Sequence, residues 1–195
     1  MRKITMDDIL PLADYERVRA ILRPLFIHEK ERRRLGVGSH LTFIFENAQT
    51  AWYQIEEMIR SEKMTDAAAI QHEIDTYNES IPGPGELVAT LLIEYAEAAE
   101  REAALRRLVG LERHLWLVLG AKKISASFDD RQMSTEKISA VQFVHFSLGD
   151  VNGPQLLELA RKGEAAIVAD HPSLAARGEI SGLLASSLAE DLAQQ

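Results

Sequence analysis

The side chains with the most obvious chemistry are carboxylates and imidazoles. Glu46, Glu57, Glu94 and His145, with His72 and Glu73, are the donor types that hold iron, manganese or zinc. Glu46 and Glu94 stand at the ends of apolar stretches. His145 lies between Phe143 and Phe146, and Glu57 precedes Met58 with Arg60 on the next helical turn. Their spacing does not force them together. A carboxylate-bridged di-iron bundle uses two Glu-x-x-His elements, and this chain contains none. His72-Glu73 lacks the second histidine of a His-Glu-x-x-His helix. The competing reading makes the strand-end glutamates solvated or ion-paired, and His145 a hydrogen-bonded sheet residue.

Asp170-His171-Pro172 is a second constellation. It follows the apolar stretch Ala165 to Ala169, and an aspartate beside a histidine has the means to orient it as a base or ligand. Adjacent residues of an extended chain point to opposite sides, however. A turn opened by Asp170, with His171 held extended before Pro172, accounts for the same residues. The third is the basic run Lys30, Arg32, Arg33 and Arg34, followed by Gly36, Gly38 and His40. It suits a phosphate or an acidic partner, and equally the C-terminal end of a helix dipole. The glycines form no P-loop, since no Gly-Lys-Ser/Thr follows. No serine lies in a Gly-x-Ser-x-Gly elbow. Trp52-Tyr53 reads as core packing rather than a ligand box.

The elements that must position these residues follow from periodicity. Leu12, Tyr15, Val18 and Leu22 share a helical face, and Pro24 is expected to kink or end that helix. A second piece, Leu25 to Arg34, breaks at Gly36 and Gly38. His40 to Glu46 alternates as a strand, with Leu41, Phe43 and Phe45 on one face. Trp52, Ile55, Met58 and Ile59 give a helix, and Thr65 caps another that buries Ala67, Ile70, Ile74 and Tyr77. After the loop at Pro82-Gly83-Pro84-Gly85 come a strand over Leu87 to Tyr95 and a helix over Glu97 to Val109. Leu115 to Leu119 and Lys123 to Phe128 form a hairpin at Gly120, and Ser139 to Leu148 is a further strand. Asn152 caps a helix that Gly163 stops, and Ala165 to Ala169 is a last short strand.

Because two strands adjoin directly, the order is not a strict βαβ alternation. The expected class is α+β, with a largely antiparallel sheet of about five or six strands and about six helices packed on it. One domain over residues 1–172 is expected, with residues 173–195 as a helix or loosely held tail.

The bulk properties narrow the partners. A 195-residue chain with 46% hydrophobic and 27% charged residues is ordinary globular material. A net charge of −8 disfavours nucleic acid and anionic membranes. Without cysteine there is no disulfide, thiolate metal site or cysteine nucleophile. Residues Met1 to Asp8 have no signal-peptide core, and no apolar run of about 18 residues exists, so a cytoplasmic protein is expected.

Several stretches, in this order, resemble the bacterial DUF3501 family. They are Asp7-Asp8-Ile9-Leu10-Pro11-Leu12 with Tyr15-Glu16, then Leu41-Thr42-Phe43-Ile44-Phe45-Glu46-Asn47, then Gln54-Ile55-Glu56-Glu57-Met58-Ile59-Arg60. Ala89-Thr90-Leu91-Leu92-Ile93-Glu94-Tyr95, Ser139-Ala140-Val141-Gln142-Phe143 and Asp170-His171-Pro172 complete the likeness. The family has no assigned activity, so the resemblance implies no catalytic residues. Through the genes that accompany it, it implies a place near rubrerythrin and an iron–sulfur protein of the heterodisulfide-reductase type.

The leading expectation is therefore an uncharacterised accessory or binding protein of a rubrerythrin-linked oxidative-stress or redox pathway. The redox centre would sit in the partner, because a cysteine-free chain cannot ligate the usual iron–sulfur clusters. The alternative is a metal-binding protein or metal-dependent enzyme with Glu and His ligands. A homo-oligomer joined through Leu183, Leu184, Leu188 and Leu192 is the third.

Overall fold

A computed structural model describes residues 1–128 and 135–195. Apolar side chains at alternate positions build its strands, and their register carries the alternation from one strand to the next. In β2 (Leu41–Phe45) and β3 (Glu86–Ile93), Phe43 lies opposite Leu91 and Phe45 opposite Ala89, all buried. β7 (Val141–Ser147) extends the same inner face with Val144 and Phe146. β1 (Arg34–Val37) and β6 (Ser127–Phe128) complete a sheet of order β1-β2-β3-β7-β6.

A second sheet has the order β5-β4-β8-β9. It contains β4 (Leu115–Leu119), β5 (Lys122–Ser125), β8 (Ala165–His171) and β9 (Leu174–Glu179). Every pairing in both sheets is antiparallel. The sheets meet along both margins. β5 and β6 are separated only by Ala126, whose N–H donates to the Leu115 carbonyl. On the other side β9 approaches β1 so closely that a Cβ on Gly178 would lie 2.5 Å from the Gly36 carbonyl oxygen. Only a residue without a side chain fits there.

The inner faces enclose one core, which α4 (Ala98–Arg107), α5 (Gly153–Arg161) and α6 (Gly182–Ala193) extend with Leu105, Leu156 and Leu188. A smaller core of Ile4, Ala51, Ile55, Ile59, Ile74 and Ile81 joins the N-terminal segment to α2 (Ala48–Glu62) and α3 (Ala67–Asn78). Among the described residues, no helix is long and apolar enough to cross a membrane.

The α+β class holds, with six α-helices among the described residues, but nine strands lie in two sheets rather than five or six in one. The additional strands are short or unpatterned. β1 consists of Arg34, Leu35, Gly36 and Val37, which sequence periodicity reads as a break. The helix α1 (Leu12–Arg32) also continues past Pro24 rather than ending there. Pro24 forfeits one backbone bond, but tertiary ties on both sides keep the helix continuous. Tyr15 and Arg19 bond Glu57 before it, and Arg33 bonds Asp191 after it.

Asp66, not Thr65, caps α3, accepting from the Ala69 N–H at 2.9 Å. Residues 174–179 and 182–193 of the C-terminal segment are held by packing, as β9 and α6. β9 pairs along β8, and Leu184 and Leu188 of α6 are buried, leaving only Leu183 of that set strongly exposed. The Leu-Ala-Ser composition that suggests a tail is what a helix packed among small residues requires.

Candidate functional site

The outer face of the four-stranded sheet holds an organised polar cluster. Strand alternation turns Trp116 and Val118 outward while Leu115, Leu117 and Leu119 go to the core. The Asp170 N–H donates to the His114 carbonyl, which sets these two residues side by side across β4 and β8. Hairpin pairing at Gly120 brings Lys123 opposite Val118, one outward position beyond Trp116.

Asp170 is the centre. Its Oδ1 accepts from the Trp116 indole N–H at 3.0 Å and from His114 Nδ1 at 3.1 Å. Its Oδ2 accepts from Lys123 Nζ at 3.0 Å, and that ammonium also stands 4.1 Å over the Trp116 ring. The Trp116 N–H first, then Lys123, hold the Asp170 carboxyl down at about 2, so it stays ionised. A carboxylate on Nδ1 fixes the His114 tautomer and directs Nε2 away from Asp170, the arrangement of an oriented base or ligand.

His171 has a different task. It is buried, its Nδ1 accepts from the Ser173 N–H at 3.1 Å, and its Nε2 donates to the Val109 carbonyl at 3.2 Å. Asp170 therefore orients His114, not His171, as strand alternation demands. The two imidazoles still meet edge to face, 5.3 Å apart. His114, Trp116 and Lys123 are the members that sequence reasoning missed. The available signal was an outward tryptophan in the alternation Leu115–Leu119, beside a hairpin whose turn residue was legible.

The four carboxylate and imidazole candidates lie in separate environments. Glu46 is buried against α2, accepting from Thr50 Oγ1 at 2.5 Å, Gln54 Nε2 at 3.3 Å and Thr90 Oγ1 at 2.7 Å. His145 pairs with Val88 across β3, and Glu46 bonds Val88 from the other side. That register places their backbones two strands, roughly 10 Å, apart. His145 Nδ1 instead meets Glu86 Oε1 at 2.9 Å. Glu94 follows the far end of β3, roughly 20 Å along the strand from Glu46, exposed and 3.5 Å from Arg34.

Glu57 accepts from Tyr15 Oη at 2.7 Å and from Arg19 Nε and Nη2 at 2.7 and 2.8 Å. The Arg19 guanidinium, more than Tyr15, holds its carboxyl down at about 2, and the Tyr15 hydroxyl is pushed up by burial and by Glu57. Among the described residues, no group of three or more His, Asp or Glu is placed to hold a metal ion.

The basic run is a joint between elements. Arg33 is buried and forms a two-point pair with Asp191, at 2.5 and 2.9 Å, and a further pair with Glu29. Arg32 reaches Ser187 Oγ and Glu190 Oε2, both at 2.7 Å. Arg34 faces Glu94. The first two fasten α1 to α6.

The family model described as a protein of unknown function (DUF3501) matches residues 3–192. A crystal structure of a novel protein of unknown function from Burkholderia pseudomallei K96243 is similar over 98% of this chain and 100% of its own. Its sequence identity is 38% and its TM-score 0.84. No curated protein matches the chain.

Proposed function

The chain belongs to the DUF3501 family, and from that premise we propose that it is an accessory binding protein. It recognises a protein partner through the outer face of its four-stranded sheet. The supporting observation is the cluster around Asp170, where His114, Trp116 and Lys123 are fixed on a partly exposed surface. An aromatic side chain already locked by a hydrogen bond and a cation loses little freedom on docking. Tryptophan is also the residue type that most often dominates an interface.

The partner class in this reading follows the family resemblance drawn from the sequence. It is a rubrerythrin-linked oxidative-stress or redox system in which the partner carries the redox centre. The test measures binding of purified rubrerythrin and iron–sulfur protein from the same organism to the immobilised chain. Trp116→Ala should weaken the dissociation constant roughly ten-fold or more. Binding of neither protein, or equal binding by Trp116→Ala, would overturn the reading.

His114 supports a second reading, a site for iron, manganese or zinc. Its Asp170 partner is the outer-shell carboxylate that metal-bound histidines commonly have. Metal content after a chelator wash, compared between the native protein and His114→Ala, decides it. Near-stoichiometric metal lost on substitution favours this role; equal metal in both proteins, or none in either, removes it.

A further inference from the structure

Seven large apolar side chains are strongly exposed among the described residues, and Val18, Ile21, Leu25 and Ile27 of α1 are four of them. Ile21 and Leu25 are 69% and 61% exposed. Monomeric proteins seldom leave such side chains contiguous. Val18, Ile21 and Leu25 are spaced by three and then four residues. Continuing that spacing in both directions adds Asp14, His28 and Arg32, so a heptad seam runs the length of the helix. Ile27 lies on the other side.

The seam is polarised, with Asp14 at its N-terminal end, apolar side chains at its middle and Arg32 at its C-terminal end. A parallel pair of such helices would set Asp14 against Asp14 and Arg32 against Arg32. An antiparallel pair sets Asp14 against Arg32 at both ends and Ile21 against Leu25 at the centre, with Val18 beside His28. Arg32 bonds Ser187 and Glu190 through Nε and Nη2 and pairs with Glu29, and its side chain remains partly exposed. A cleft of about 910 Å³ also runs along the C-terminal half of the seam, between Leu25, His28 and Arg32 on one side and Lys3 and Trp52 on the other.

We propose that α1 docks antiparallel against α1 of a second copy of this chain, across a two-fold axis midway between Ile21 and Leu25. The N-terminal half of each α1 enters the other copy's cleft. The interface is isologous, and like-charge contact at the seam's ends disfavours the parallel alternative. It shares no residue with the Asp170 cluster, so either idea can fail alone.

Light scattering on the full chain gives the mass, which is twice 21.8 kDa for the dimer. Ile21→Glu should convert it to monomer without altering the circular dichroism, because Ile21 points to solvent in the single chain. A monomeric native protein at tens of micromolar, or an intact Ile21→Glu dimer, would overturn the proposal. The cysteine-free sequence permits a test of direction. Val18→Cys protein mixed with His28→Cys protein should give a mixed disulfide dimer on oxidation, and neither alone should cross-link. Cross-linking of either variant with itself, or absence of the mixed product, contradicts the antiparallel seam.

Discussion

Glu56 should destabilise this protein at neutral pH. It is 1% exposed, and its Oε1 accepts from the Leu10 N–H at 2.8 Å. Burial, opposed only by that bond, raises its carboxyl from 4.5 to about 6. A raised carboxyl favours the protonated form in the folded state. Below 4.5 Glu56 is protonated whether folded or unfolded, and nothing is lost; above about 6 it is ionised in both, and the full penalty applies. Stability attributable to Glu56 therefore falls as pH rises from 4.5 to about 6. Raising a carboxyl from 4.5 to about 6 costs its charged form about 2 kcal/mol. Glu56→Gln keeps an oxygen for Leu10 and removes the charge, so at about pH 7.5 it should gain up to roughly 2 kcal/mol in urea unfolding. The melting temperature should rise by about 2–4 °C per kcal/mol. At about pH 4 the gain should vanish. An equal gain at both pH values, or a loss at neutral pH, would refute the assignment of the penalty to a desolvated charge.

Asp191→Ala leaves the Arg33 guanidinium buried with Glu29 as its one remaining charged partner among the described residues. A loss of roughly 3–5 kcal/mol in thermal unfolding is expected. Glu57→Gln removes a carboxylate held at about 2, whose contribution is present above 4.5 and declines as pH falls toward 2. Because Glu57 is 25% exposed, screening leaves about 1–2 kcal/mol. Urea midpoints of variant and native protein should converge as pH drops below 4.5. Gly178→Ala places a methyl 2.5 Å from the Gly36 oxygen and should lose about 1–3 kcal/mol by forcing β9 from β1, read as a lower melting temperature.

Local pattern carried much of the fold. The alternation of Leu41, Phe43 and Phe45 forecast β2, and Asn152 with Gly163 bracketed α5 at both ends. Pairing across the chain was not legible in the same way. Arg33 and Asp191 are separated by 158 residues and His114 and Asp170 by 56. No periodicity joins them; only the register of β4 on β8 and the packing of α1 on α6 do. β1 was invisible for the opposite reason: Leu35 and Val37 alternate with Arg34 and Gly36 over only four residues, too short a run to stand out beside the basic stretch and Gly38, while β2 supplies the partner that makes Arg34–Val37 extended.

The polar residues most suggestive of chemistry in the sequence are mainly joints. Glu57 holds α1 to α2 through Arg19, Arg33 holds α1 to α6, and Glu46 fastens α2 onto the first sheet through Thr50 and Thr90. Carboxylates and guanidinium groups are strong in such joints because partial burial weakens solvent screening, so composition cannot separate them from ligands. Other residues stand out as misfits between type and position. Trp116 points outward from an alternating strand, and Val18, Ile21 and Leu25 line the outer side of a helix otherwise rich in charge. The α1 side chains leave apolar surface in water, and Trp116, although bonded to Asp170 and covered on one face by Lys123, stays partly exposed. A second molecule covering them would remove that surface from water, which is why the two proposals rest on these positions and not on the glutamates.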